Sequence, residues 1–118
     1  LAGTMPEQVV ESFYSWYVEY ARDTGAPLAS RAYRTQAHLT ADFIRRVDKL
    51  VDQGTQTDPF LLSKAVPSEV EVGNATITGS TARLILRETF SDQTTKDLLV
   101  TLRRVDGHCK IDNVQPRP

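Results

Sequence analysis

From about Met5 to Asp23 the chain repeats apolar side chains at helical spacing, and the face they form is unusually wide. At 100° per residue, Trp16, Val9, Tyr20, Phe13, Tyr17, Val10, Ala21 and Tyr14 share one continuous arc. Glu7, Glu11, Ser15, Arg22 and Glu19 fall opposite. The arc spans about 160°, against ~100° for a helix resting on a flat surface. A helix of this kind has to be clasped from two sides, so the rest of the chain must supply a curved wall. The segment also carries the only Trp and three of the four Tyr residues. Thr4 and Glu7 have the spacing of a capping box, Pro6 suits the first turn, and Gly25 marks the end.

Two further helical stretches follow. Leu28 to about Tyr33 reads as a short second helix. Thr40 is placed to cap a third, from Ala41 to Gln53, closed by Gly54. Its apolar stripe is Phe43, Ile44, Val47, Leu50 and Val51, about 120° wide. Asp42, Arg45, Arg46, Asp48, Lys49 and Asp52 make a solvated opposite face. Gly54 to Pro67 is a connector with an apolar centre, Asp58-Pro59-Phe60-Leu61-Leu62.

Beyond the connector the period changes from helical to alternating. Val70 and Val72 share one parity and Ala75 and Ile77 the other, which a bulge near Gly73-Asn74 reconciles. Three turns then set the register. A two-residue turn at Gly79-Ser80 puts Ile77 opposite Ala82 and Ala75 opposite Leu84. A three-residue loop at Ser91-Asp92-Gln93 puts Leu86 opposite Leu98, Leu84 opposite Val100 and Ala82 opposite Leu102. It also pairs Arg87 with Asp97 and Glu88 with Lys96, opposite charges both times. Asp106-Gly107 puts Leu102 opposite Ile111. The face with Ala75, Ile77, Ala82, Leu84, Leu86, Leu98, Val100, Leu102 and Ile111 is the one to pack on the first helix. On the reverse face Ile85, Leu99 and Val114 form a small apolar patch, a candidate homodimer surface.

Helices first and antiparallel strands after place the chain in the α+β class. The expected architecture is N-terminal helices packed on the concave face of a curved antiparallel sheet of about four strands, one domain over residues 1–118. With a formal net charge of −1 there is no global field to draw in nucleic acid or an anionic membrane. No apolar run approaches the ~20 residues that span a bilayer. One cysteine, Cys109, excludes an internal disulfide, and with His38 and His108 it lacks structural-zinc spacing, so no metal or cofactor is expected. The start at Leu1 rather than Met is what a segment of a longer precursor would show.

Four stretches carry a resemblance: Phe13-Tyr14-x-Trp16-Tyr17, His38-Leu39-Thr40-x-x-Phe43-Ile44, Asp58-Pro59-Phe60-Leu61 and Asp106-Gly107-x-x-Lys110-Ile111-Asp112-Asn113-Val114. With them the chain resembles the cystatin-like cone of the nuclear-transport-factor-two-like superfamily. Within that superfamily it resembles a bacterial family of uncharacterised domains, many on exported or lipid-anchored proteins. It departs from that family at Ser63-Lys64-Ala65-Val66-Pro67 and at Cys109. The resemblance implies an exported or cell-envelope location, and a pocket between the first helix and the sheet. Tyr14, Trp16, Tyr17, His38, Asp58 and Phe60 are its expected lining.

Two readings follow. In the first the chain is a non-catalytic binding module that takes a small molecule or a protein partner and has the option of dimerising. In the second it is a small acid–base enzyme, an isomerase, dehydratase or hydrolase, using Asp58 or His38 with a Tyr. Each residue also has a plain structural role open to it. Asp58, ahead of Pro59, suits an Asx turn or a backbone cap. The Tyr hydroxyls suit partners at the rim of the core, and Cys109 suits a small buried hydrophobe.

Overall fold

The computed structural model describes residues 5–25 and 27–117. The proposed capping residue Thr4 lies outside them. Helix α1 runs Pro6–Thr24 and stops where Gly25 turns left-handed (φ 69°), its N–H donating to the Ala21 carbonyl. A residue with a Cβ adopts that conformation only at a cost, which is why glycine stands there. The second helical stretch is a turn followed by a 3-10 helix, Ala32–Thr35, shorter and later than its periodicity indicated. Helix α2 covers Ala41–Asp52, and the Thr40 hydroxyl accepts from the Phe43 N–H at 3.1 Å, as an N-cap should.

The sheet has five antiparallel strands: β1 (Glu69–Val72), β2 (Thr76–Thr78), β3 (Thr81–Thr89), β4 (Thr95–Val105) and β5 (His108–Pro116). Its order is β1-β3-β4-β5, with β2 also on β3. The expected first strand is split in two. Ile77 faces Ala82, whereas Val72 faces Leu86, so the interval around Gly73 holds one extra residue. Gly73 donates to the Ile85 carbonyl at 2.8 Å, and a Cβ there would lie 3.0 Å from the same oxygen. Only glycine allows the backbones to approach so closely. Ala75 consequently leaves the ladder, and its N–H donates to Glu7 Oε2 at 3.0 Å instead of facing Leu84.

Between β3 and β4 the register is the expected one throughout, from Thr81–Arg103 to Thr89–Thr95. The β4–β5 hairpin pairs Leu102 with Ile111 but slips by one residue beyond it, between Thr101 and Leu102. That bulge corrects one expectation. Val114 pairs with Val100, not beside Leu99, and it is buried in the core. The outer apolar patch is therefore Ile85 opposite Leu99, without Val114. A second correction is Ile77, which is 61% exposed, because β2 lies beside the start of α1 at Pro6 and beyond the cover of its later turns.

The core lies between α1, α2 and the inner face of the sheet. Val9, Val10, Phe13, Tyr14 and Tyr17 meet Leu84, Leu86, Leu98, Val100, Leu102 and Ile111 there. Trp16 and Tyr20, included in the apolar arc, are only half-buried and stack on each other at 5.3 Å. The connector closes the remaining side. Phe60 is fully buried with its ring 4.8 to 5.6 Å from those of Phe13, Tyr17, Tyr33 and Phe43. The second flank that the wide face of α1 required is thus the connector.

Candidate functional site

One cluster of buried polar groups lies where the connector meets the inner side of the sheet. Asp58 Oδ1 accepts from the N–H groups of Phe60 (2.8 Å) and Leu61 (3.2 Å), closing an Asx turn. Leu62 N–H returns to the Asp58 carbonyl at 2.7 Å. Asp58 Oδ2 accepts a short hydrogen bond from the Tyr17 hydroxyl, and the Tyr14 hydroxyl donates to the Phe60 carbonyl at 2.6 Å. Both hydroxyls come from α1 and lie one helical turn apart, so the helix is stitched to the connector at adjacent points.

Electrostatics here follow from burial. Desolvation raises the Asp58 carboxyl above its ordinary range, and the Tyr17 bond and the Phe60 and Leu61 N–H groups pull it back in part. Tyr14 and Tyr17 are held far above the usual phenol range, chiefly by burial and then by the neighbouring carboxylates. Both remain neutral donors at any physiological pH.

One member of this cluster escaped the sequence reading. Glu88, on β3, was expected to pair with Lys96 across the strands as opposite charges, and the register is as expected. Glu88 is fully buried, and neither carboxylate oxygen has a hydrogen-bond partner among the described residues. Lys96 stands opposite it but donates to the Leu62 carbonyl. Burial pushes Glu88 up to about 8, helped by Asp58 and opposed by Lys96, so its carboxyl is mostly protonated at neutral pH. The signal was present in the sequence, since Glu88 continues the inward parity of Ala82, Leu84 and Leu86. The charge match with Lys96 masked it.

Of the six residues expected to line a pocket between α1 and the sheet, Tyr14, Tyr17 and Phe60 are fully buried and packed ring against ring. They fill that space. Trp16 lies at its margin, 5.9 Å from Phe13 and 6.0 Å from Tyr17. His38 is not brought to the cluster. Its carbonyl accepts from Ile111 N–H at 2.7 Å, and with Leu39 and Thr40 it runs beside β5. Asp58 borders a groove of about 320 Å³ between α2, the connector and β5. Phe43, Val47, Leu50, Pro59, Leu62 and Val114 form its apolar walls. Among the described residues no group of three His, Cys, Asp or Glu could hold a metal ion, and no helix is long and apolar enough to cross a membrane.

No family model matches the chain, and no curated protein does. Solved structures do. A chain of the type VI effector-immunity complex Tae3-Tai3 from Ralstonia pickettii aligns at 22% identity and a TM-score of 0.76, over 98% of this chain and 97% of that one. A selenomethionine crystal structure of that complex gives 23% identity and a TM-score of 0.72, over 96% and 97%. A protein of unknown function from Bacteroides thetaiotaomicron aligns at 24% identity and a TM-score of 0.67, over 93% and 88%. The fold of this chain is thus an α+β fold shared, almost end to end, with these bacterial proteins.

Proposed function

We propose that the chain is a protein-binding module of the bacterial cell envelope, and that its partner is a type VI effector which it restrains. The observation that carries this reading is the filled interior. Tyr14, Tyr17 and Phe60 occupy the space a ligand would need, and the Tyr hydroxyls are engaged with Phe60 and Asp58. Recognition then falls to outer surfaces, as in a protein-binding domain. Support comes from the end-to-end likeness to a chain of an effector-immunity complex. Co-expression tests it. Type VI effectors, including that of the Ralstonia pickettii complex, are produced in the envelope of a bacterial host with and without this chain. Growth restored by the chain against one effector supports the reading; no protection against any of them overturns it.

A second reading keeps the acid–base enzyme, because Asp58 combines a raised carboxyl with a position on an apolar groove. There the groove would seat a small apolar substrate and Asp58 Oδ2 would exchange a proton with it. A fragment screen by crystal soaking decides this. Fragments in contact with Asp58 in the groove favour the enzyme, and fragments confined to the outer sheet remove it.

A further inference from the structure

On the outer face of the sheet the arginines differ in their partners. Arg87 grips Asp97 through two bonds of 2.9 and 3.2 Å, and Arg117 holds the same carboxylate at 2.9 Å. Together they keep Asp97 down at about 2. Arg103 lies 3.5 Å from Asp42 and 3.8 Å from Asp112. Arg83, in the middle of β3, is exposed, and no hydrogen bond or ion pair engages its guanidinium among the described residues. Its cross-strand neighbours are Thr76 on β2 and Thr101 on β4, and the next pair is Thr78 with Thr81. Thr76, Thr78, Thr81 and Arg83 line a shallow recess of about 190 Å³. The recess offers five guanidinium N–H groups and three hydroxyls, with no acid among them. Two residues along β3, on the same face, half-buried Ile85 stands opposite half-buried Leu99.

We propose that this face is where the protein partner docks. Arg83 and its threonines receive a carboxylate of that partner, and Ile85 and Leu99 take an aliphatic side chain beside it. This rests on the reading of the chain as a protein-binding module and names the surface and charge of what it binds. An unpaired guanidinium flanked by hydroxyls that can also donate, with no acid in the recess, is complementary to a carboxylate, which it can hold bidentately. Arginines beside apolar contacts are where binding energy concentrates in protein interfaces. The dimensions suit the role. Rows of about nine residues at ~3.3 Å per residue, four deep at ~4.8 Å with β1 and β2 sharing one row, give a face on the order of 600 Å² before side-chain relief. A standard interface uses about 800 Å² per partner.

The test uses the isotope-labelled chain and a capped peptide of alternating Glu and Leu as probe, followed by amide chemical shifts. Shifts centred on Thr76, Thr81, Arg83, Ile85, Leu99 and Thr101, with affinity falling about tenfold in Arg83→Gln and about tenfold for the Gln-for-Glu peptide, support the proposal. Shifts centred elsewhere, or unchanged by Arg83→Gln, overturn it. So does tighter binding of a single-stranded oligonucleotide at these residues, or concentration-dependent shifts there without any probe, which would make the occupant nucleic acid or a second copy. The same variant separates this claim from the one beneath it. An effector that binds wild type and Arg83→Gln equally refutes the docking face and leaves the binding function standing. Peptide binding lost in Arg83→Gln, with no effector bound by wild type, refutes the effector assignment alone.

Discussion

Glu88 gives the fold a pH dependence that can be worked out from its surroundings. Its carboxyl is fully buried between Val70 and Lys96 in the sheet, faces Asp58, and lacks a hydrogen bond among the described residues. Its ordinary value of 4.5 rises to about 8 in the fold. Between those two values the folded chain keeps a proton that the unfolded chain has released. Stability therefore falls as pH rises through the window, by up to about 1.4 kcal/mol per pH unit, and levels off above it. Integrated over the window the ceiling is about 5 kcal/mol. Local relaxation and water entry reduce such penalties, and we expect about 2 kcal/mol. Glu88→Gln removes the titration at nearly constant shape. In urea denaturation of both proteins at about pH 5 and about pH 9, the variant should gain about 2 kcal/mol relative to wild type between the two, or about 8 °C in Tm. Taking the difference between pH values cancels whatever the amide itself does to packing. A stability difference that is the same at both pH values would refute the reasoning.

Removing the Tyr17 hydroxyl with Tyr17→Phe deletes the bond to Asp58 and should lower unfolding free energy by about 1.5 kcal/mol in urea, while Asp58→Ala, which also orphans the Phe60 and Leu61 N–H groups, should lower it by about 3 kcal/mol. Asp48 collects Tyr33 (2.5 Å), Arg34 (3.0 Å) and Arg31 (3.4 Å), so Asp48→Asn should loosen the 3-10 helix and cost about 1 kcal/mol, read as faster hydrogen exchange over Ala32–Thr35. Burial pulls the Asp48 carboxyl up, but Arg34, Tyr33 and Arg31 outweigh it and leave it below the usual 3.8. Its contribution is therefore present above that value and lost as pH falls through the lower folded one, a loss absent from Asp48→Asn. Gly73→Val, forcing a Cβ to 3.0 Å from the Ile85 carbonyl, should destabilise by about 2 kcal/mol, measured by thermal denaturation.

The parts of the fold that were legible are those with period and punctuation. The β3–β4 register follows from a three-residue loop and a run of alternating aliphatics, and every pair falls as the arithmetic requires. The end of α1 is marked by Gly25 and the start of α2 by Thr40. Val114 was misplaced because the bulge opposite Thr101 and Leu102 adds a residue within Ile111-Asp112-Asn113, where no glycine or proline announces it. One uncounted residue turns every later side chain to the other face. Asp58 and the two tyrosines were singled out by residue type, but whether they line a cavity or fill one depends on where Phe60 inserts. That is a tertiary fact with no local signature. His38 drew attention as a titratable ring, and the fold uses its backbone carbonyl to hold β5.

The central claim is that the chain acts through its exterior on another protein. Titration calorimetry of the purified chain against purified type VI effectors, run beside the same titrations with Arg83→Gln, tests it most directly. The account expects one effector to bind with a Kd below about 1 μM at one-to-one stoichiometry, and about tenfold more weakly to the variant. No heat of binding with any effector, together with a small molecule seated against Asp58 in the groove, would contradict it.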